Sequence, residues 1–159
     1  MKLQEILRTK GSNVLTIQPD ATLEDVVQKL VKYNCGSLVV CVEEQAPEIL
    51  GIITERDILR ACAHHKAPLV QLLVREVMTT EMVTGAPSDS LEDIMGLMTN
   101  HRIRHLPILE ERELRGIISI GDIVKAQHDQ LTMENHYLKG YIQGDSDVLG
   151  GSAIMSRPR

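Results

Sequence analysis

Two copies of a short hydroxyl-to-aspartate motif are the residues of this chain whose types and spacing could do chemistry. The first is GIITERD at Gly51–Asp57 and the second is GIISIGD at Gly116–Asp122. Thr54 and Ser119 each stand three residues before the aspartate. A hydroxyl between a strand and the free N–H groups of a helix N-terminus can donate to a phosphate oxygen. A carboxylate three residues on can accept hydrogen bonds from the paired hydroxyls of a ribose.

The same spacing also has a purely structural interpretation. A hydroxyl residue followed three positions later by an acid, ahead of a helix, is a capping box. The chain contains four such pairs: Thr22/Asp25, Ser90/Asp93, Thr54/Asp57 and Ser119/Asp122. We interpret the first two as caps because an amphipathic helix follows directly. For the other two, the residues alone leave both capping and ribose-phosphate binding open.

The two motifs belong to two copies of one longer unit. QPDATLEDVVQKLVKYNCGSLVVCVEEQAPEILGIITERDILRA aligns with APSDSLEDIMGLMTNHRIRHLPILEERELRGIISIGDIVKA. The first copy is longer, and its extra residues fall in EEQAPE, which we interpret as a turn. Each copy predicts a strand, a helix, two strands and a second helix that follows the aspartate. The first strands are expected at Val14–Ile17 and Met82–Thr84. One unit of about 55 residues could barely bury its sheet, so we expect the copies to share a core.

Composition excludes several classes of function. The formal net charge is −5, whereas a nucleic-acid-binding face needs an excess of lysine and arginine. No apolar run approaches the roughly 18 residues of a membrane helix, and the start MKLQEILRTKG has no signal-peptide core. The three cysteines have no CxxC spacing and indicate reduced thiols, so we expect a cytoplasmic protein. The scattered histidines lack metal-ligand spacing, and Cys35 has no assured base, so neither a metal site nor catalysis is expected.

A family resemblance rests on VLTIQPDATLEDVVQKL, VREVMTTEMVTGAPSDSLEDIMGLM and RIRHLPILEERELRGIISIGD. With the two motifs, these phrases resemble a tandem pair of CBS domains, named for cystathionine β-synthase, over residues 1 to about 127. The resemblance implies an α/β fold of two β-α-β-β-α repeats related by a pseudo-twofold axis, at residues 1–68 and 69–127. The sequence then predicts a C-terminal helix extension at 128–144, ending at Gly140 or Gly144, and a disordered tail at 145–159.

The resemblance also implies a function. CBS pairs are non-enzymatic regulatory modules whose two clefts hold adenosine derivatives such as AMP, ADP, ATP, NAD(H) or S-adenosylmethionine. AMP is the expected ligand here, and no further cofactor is required. A homodimer is expected, and because no catalytic domain is attached, an unknown protein target must be regulated in trans. The alternative is a protein-interaction or dimerisation subunit with no physiological ligand, acting through the C-terminal helix. That helix carries a sparse apolar seam at Val124, Leu131, Leu138 and Ile142.

Carried over to this chain, the resemblance assigns the polar contacts of the two clefts. Thr54 and Asp57 become the phosphate and ribose contacts of one cleft, and Ser119 and Asp122 those of the other. Arg56 is a further phosphate partner in the first copy, where the second copy has Gly121.

The repeats differ at a second basic position. Arg104 and His105 resemble the basic pair that reaches phosphate, where the first copy has Gly36 and Ser37. These basic groups could serve one nucleotide or two. His105 is expected to strengthen phosphate binding as the pH falls towards 6. The adenine is expected to lie against aliphatic walls, formed by Thr16, Ile17, Leu38, Thr84, Gly85 and Leu106.

Overall fold

The computed structural model describes residues 1–11, 13–42 and 48–149, and it describes only the backbone of 144–149. The helices are α1 (Leu3–Lys10), α2 (Leu23–Tyr33), α3 (Glu55–His64), α4 (Val74–Val77), α5 (Leu91–His101) and α6 (Ile120–Leu149), with a 3₁₀ turn at Leu69–Gln71. The strands are β1 (Thr16–Ile17), β2 (Ser37–Cys41), β3 (Ile49–Thr54), β4 (His105–Glu110) and β5 (Glu113–Ser119).

The strands form one small sheet in each repeat, which confirms the predicted α/β class. In the first repeat β1 pairs in parallel with β2, and β2 pairs antiparallel with β3. In the second repeat β4 and β5 pair antiparallel. The strand expected at Met82–Thr84 is reduced to one parallel bridge, between Gly85 and Ile108. A glycine offers no side chain to pack on the pleated surface, so the pairing stays short.

The helices begin where the hydroxyl residues predict. Thr22 and Ser90 cap α2 and α5, and each accepts a hydrogen bond from the backbone N–H three residues on. The helices after the two motifs start at Glu55 and Ile120, before the aspartates and not after them. The reason is that each hydroxyl residue is both the last residue of its strand and the N-cap of the helix, so the helix begins at the next residue. The turn predicted at EEQAPE falls largely in 43–47, outside the described residues.

Each sheet buries one face against an amphipathic helix. Three of the apolar positions of α2 are buried as their spacing predicts, because Leu23, Val26 and Leu30 lie in one buried cluster with Leu38 and Val40 of β2. Val31, which the spacing places on the same face, is exposed. The second repeat buries the matching set, namely Leu91, Ile94, Met98, Leu106, Ile108 and Ile118. Each such side chain contributes roughly 1.5–3 kcal/mol relative to an exposed position.

The two repeats are tied together by the helices that precede them, neither of which the sequence patterns predicted. Helix α1 precedes the first repeat but lies on the second, where the Leu3 N–H donates to the Asp89 carbonyl at 3.1 Å. Helix α4 precedes the second repeat but lies on the first, where the Val74 N–H donates to the Ala21 carbonyl at 2.9 Å. Leu3 and Val74 are both fully buried.

Helix α6 is longer than predicted. It passes through Gly140 and Gly144 and runs to Leu149, so the expected end at either glycine was wrong. Glycine inside a helix costs roughly 0.5–1 kcal/mol relative to alanine, but it ends the helix only where the backbone turns left-handed. In the described chain, Gly11 alone among the glycines has a positive φ.

From Ile123 onward the chain forms a second compact unit, and the rest of the expected tail, 150–159, lies outside the described residues. None of the described helices combines the length and apolar character required to cross a membrane.

Candidate functional site

The first motif forms a capping box whose aspartate is buried. Asp57 is 6% exposed, and its Oδ2 accepts hydrogen bonds from the Thr54 N–H at 2.9 Å and the Thr54 hydroxyl at 3.1 Å. Its Oδ1 accepts from the Thr79 hydroxyl at 3.1 Å. A carboxylate has about four acceptor positions, so one remains on Asp57. The Thr79 oxygen lies beside it as a second acceptor. The first motif therefore does form a capping box. The remaining acceptor position of Asp57 and the Thr79 oxygen still provide a pair of acceptors for a diol.

This motif opens into a cavity of about 440 Å³ that both repeats line. We name it the inter-repeat cavity. From the first repeat come Gly36, Thr54, Arg56 and Asp57, and from the second come His101, Arg104, His105 and Pro107. The segment that joins the repeats contributes Thr79, Glu81, Met82 and Val83. The volume falls within the range typical of small-molecule sites.

The inter-repeat cavity carries balanced charge. Its cationic residues are Arg56, Arg60 and Arg104, and its carboxylates are Glu55, Asp57 and Glu81. Arg56 and Arg60 belong to the first repeat and Arg104 to the second, so both repeats present cationic groups to the cavity. The basic groups that the sequence left open to one nucleotide or two thus line a single cavity.

Two of the polar groups are already engaged within the chain. An Nη1 N–H of Arg56 donates to the Arg102 carbonyl at 2.6 Å and so ties α3 to the end of α5. Guanidinium has five N–H groups, so others remain for a ligand. The Thr54 hydroxyl proton is directed at Asp57, and it must leave that carboxylate before Thr54 can donate to a phosphate.

His105 stands at the centre of these charges. Burial lowers the pKa of its imidazole below the ordinary 6.5, Glu55 opposes that shift, and Lys10 and Arg104 reinforce it. The sequence predicted that His105 gains a proton near neutral pH. The structure corrects this prediction, because burial disfavours the charged form of the imidazole. His105 is therefore mainly neutral at pH 7.

The second motif has the same box but a different neighbour. Asp122 Oδ2 accepts from the Ser119 N–H at 2.8 Å and the Ser119 hydroxyl at 2.9 Å. The Lys10 ammonium, at the end of α1, forms a salt bridge with the same oxygen. Burial raises the pKa of Asp122, but the hydrogen bonds from Lys10 and Ser119 outweigh it and hold the pKa below its ordinary value. Neither Ser119 nor Asp122 lines the inter-repeat cavity.

The predicted adenine walls lie elsewhere. Leu38 and Leu106 are fully buried in the two cores, and Ser37 is buried with them. Thr84 is exposed and does not line the inter-repeat cavity, where Met82 and Val83 stand instead. Thr16 and Ile17 line a second recess of about 390 Å³. Strand periodicity identifies apolar positions, but it does not distinguish a side chain that is buried in the core from one that lines a cavity.

Sequence reasoning missed several residues of the site. Thr79, Glu81 and Arg60 line the inter-repeat cavity, and Lys10 contacts the second aspartate. Thr79 and Lys10 are remote in sequence from the aspartates that they contact. One signal was present, since VREVMTT and LQEILRT share a pattern ahead of the two repeats.

Comparison with known proteins gives a consistent result. The sequence profile of the CBS domain matches residues 4–64 and 74–129. The mitochondrial CBS domain-containing protein CBSX3 of Arabidopsis thaliana is 33% identical over 148 residues, which cover 89% of this chain and 72% of that protein.

Solved structures agree with the sequence comparison. The CBS-domain protein ATU1752 of Agrobacterium tumefaciens has a TM-score of 0.74 and 35% identity, covering 80% of this chain and 99% of that one. The CBS domain pair of protein MJ0100, solved with 5′-methylthioadenosine and S-adenosyl-L-methionine, has a TM-score of 0.70 at 22% identity, covering 82% and 98%. The second likeness is one of fold. On the matched repeats and these relatives, the chain belongs to the CBS domain family and carries two tandem repeats.

Proposed function

We propose that this chain is a non-enzymatic regulatory module whose inter-repeat cavity binds an adenosine-containing ligand, with AMP preferred. One observation carries the proposal: the cavity joins the hydroxyl-aspartate motif of one repeat to the basic pair of the other. Ribose acceptors and phosphate partners thus line one space, with contributions from both repeats. The ligand complex of the MJ0100 domain pair supports this ligand class by analogy of fold. The bound ligand would regulate a protein target.

The ribose end of the ligand is assigned to Asp57 and Thr79. Asp57 has one acceptor position left, and the Thr79 oxygen can accept a second hydroxyl while its own proton stays on the carboxylate. A vicinal diol presents two donors at this spacing. A 2′-deoxy ligand would leave a buried acceptor unpaired, and that loss costs about 1–3 kcal/mol.

The phosphate end is assigned to Arg104 and the free N–H groups of Arg56. Charge balance favours a monophosphate, because Glu55 and Glu81 also line the cavity and repel each added phosphate. Met82, Val83 and Ile103 offer apolar surface for the base.

Calorimetry of the purified chain tests the proposal. The panel is AMP, ADP, ATP, NAD(H), S-adenosylmethionine, 2′-deoxy-AMP and inorganic phosphate. AMP is expected to bind tightest, and at about 100 times its dissociation constant it should add roughly 2.7 kcal/mol to the free energy of unfolding. Arg104→Gln should weaken AMP at least tenfold. Arg115→Gln, which removes an exposed arginine paired with Glu110 away from the cavity, should not. If millimolar ligands neither bind nor raise the melting temperature, the proposal is wrong.

A second candidate function is association through α6, and the exposure of that helix favours it. Leu131 is 55% exposed and Leu138 is 62% exposed, and Val124, also exposed, lies seven residues before Leu131. Large apolar side chains at seven-residue spacing on one helix suit a helical partner. We propose a second copy of the chain as that partner.

A further inference from the structure

The two helices that precede the repeats are equivalent, and this equivalence reveals a difference between the clefts. An offset of 71 residues superimposes the sequence of α1 on that of α4. The Lys2 N–H donates to Glu5 Oε1 at 3.0 Å, and the Leu73 N–H donates to Glu76 Oε2 at 2.8 Å. The two helices therefore begin in the same way.

Their next turns also contact equivalent glycines. A Cβ added to Gly116 would lie 2.7 Å from Leu7 Cδ2, and one added to Gly51 would lie 3.2 Å from Met78 Sδ. Leu7 and Met78 differ by the same offset of 71 residues. Leu7 of α1 and Met78, which follows α4, thus cover the glycines with which the two motifs begin.

The equivalence ends at the helix C-termini. Helix α4 stops at Val77, and the following chain is extended, so that the backbone of Thr79 pairs with Ile52. Helix α1 continues to Lys10 and is capped by Gly11. Lys10 therefore stands at the position that corresponds to Glu81, a residue that lines the inter-repeat cavity.

The longer helix delivers an ammonium group to the second motif. Lys10 Nζ donates to Asp122 Oδ2 and, at 2.9 Å, to the Ile117 carbonyl. Both side chains are only partly exposed, 38% for Lys10 and 23% for Asp122. In the first motif the corresponding neighbour of the aspartate is the neutral Thr79 hydroxyl, which can both donate and accept. An ammonium group can only donate, so it cannot receive a ribose hydroxyl.

We propose that Lys10 is a specificity-determining residue that closes the second motif to nucleosides, so that each chain binds one adenosine ligand. The ammonium takes the place of the Thr79 hydroxyl, which could accept the second hydroxyl of a ribose diol, and it neutralises the carboxylate that would attract the diol. The inference rests on the proposed function only for the identity of the ligand. It predicts that the second motif becomes able to bind a nucleoside when the ammonium is removed.

Calorimetric stoichiometry with AMP tests this inference. The wild-type chain should bind about one AMP. Lys10→Met keeps the aliphatic stem, removes the charge, and should raise the stoichiometry towards two, with a weaker second event. Asp122→Asn in the Lys10→Met background should abolish that event. Lys10→Arg keeps a cation on Asp122 and should stay at one. Arg8→Met removes a cation from the same turn without touching Asp122 and should also stay at one.

The outcomes separate this inference from the proposed function. One site in both the wild type and Lys10→Met would show that Lys10 has only a structural role, while the proposed function stands. Binding in Lys10→Met but not in the wild type would support the closure by Lys10 and refute ligand binding at the first motif. Absence of binding in folded forms of both, checked by their melting temperatures, would overturn both proposals.

Discussion

The imidazole of His105 lies against the backbone of Gly36, so the two repeats meet at the cavity through a contact that leaves no room for a side chain. A Cβ at position 36 would lie 2.8 Å from His105 Cε1 and 2.9 Å from Nε2. The Gly36 carbonyl also accepts the Glu55 N–H at 3.1 Å, which fixes the start of α3. One glycine therefore positions groups from both repeats.

Gly36→Ala should displace His105 and weaken the site. The φ of Gly36 lies outside the left-handed region, so the added methyl acts through the contact and not through backbone strain. Overpacking of this kind typically costs 1–3 kcal/mol. We expect a lower midpoint in urea unfolding and a several-fold loss of AMP affinity by calorimetry.

A double mutant supplies the control. Combining Gly36→Ala with His105→Ala removes the clash, so the two stability losses should not add. Additive losses would mean that the methyl group meets something other than His105.

Asp57→Asn should lower both stability and affinity, because Asp57 caps α3 and is the assigned ribose acceptor. An amide cannot accept on both atoms, so the capping box and the Thr79 bond are weakened together. Loss of a helix cap costs about 0.5–2 kcal/mol, and loss of a charged ribose contact should reduce affinity tenfold or more. The measurements are urea unfolding and AMP calorimetry.

Asp25→Asn is the matched control for Asp57→Asn. Asp25 forms the same box with Thr22 on α2, outside the inter-repeat cavity. It should lower stability and leave AMP affinity unchanged. Equal affinity for wild type and Asp57→Asn would remove Asp57 from the binding site.

The sequence predicted those parts of the fold that local patterns encode. The capping residue Thr22 and the apolar face of α2 follow from spacing within a dozen residues, and the structure realises both. The repeat itself predicted that both copies would have the same order of strands and helices. The predicted end of the last helix at Gly140 or Gly144 was wrong, because glycine permits a helix to end but does not require it.

The site was harder to predict because its contacts are long-range. Lys10 reaches Asp122 across 112 positions, and Arg56 reaches Arg102 across 46. The first contact depends on the packing of α1 against the second repeat, and the second joins α3 to the end of α5. Asp57 and Asp122 occupy equivalent positions in the two motifs. Their surroundings differ because α1 is longer than α4 and brings the Lys10 ammonium to Asp122.

Acid should destabilise the chain partly through the second motif. The folded-state pKa of Asp122 lies below the ordinary 3.8, so its contribution is complete above that value and is lost as pH falls through the folded pKa. Lys10→Met should reduce this loss, because it removes one cause of the shift. Urea unfolding between pH 2.5 and about pH 5 measures the difference. Parallel curves for wild type and Lys10→Met would contradict the coupling.

Leu131→Lys on α6 should weaken self-association. Leu131 is exposed and belongs to the seven-residue spacing with Val124 and Leu138, so a charge there would be buried in a helical interface. Sedimentation of the wild type should give twice the chain mass, and the variant should shift towards one. Thr132→Lys adds the same charge about 100° around the helix and should leave the dimer intact. A wild-type monomer at tens of micromolar would refute the dimer.

Lower pH should destabilise the free protein through His105 and strengthen its hold on phosphate. The folded-state pKa of His105 is below 6.5, so the neutral ring stabilises the fold fully above pH 6.5, and that contribution is lost as pH falls through the folded pKa. A phosphate beside the ring would favour the imidazolium, so the ring's contribution to AMP affinity should grow below pH 6.5, in a lower window than an exposed histidine would give.

The comparison variant for this prediction is His105→Gln, which keeps polarity and cannot gain a proton. AMP itself titrates near pH 6, as phosphate monoesters do, so the informative quantity is the ratio of wild-type to variant affinity at each pH. That ratio should be constant from pH 8 to about pH 6.5 and rise below it, while the stability advantage of the wild type shrinks below the same pH. Glu55, Asp122, Lys10 and Arg104 all act on the ring, so the experiment keeps these four residues unchanged. A flat ratio down to pH 5 would place the phosphate away from His105 and leave Arg104 and Arg56 as its partners.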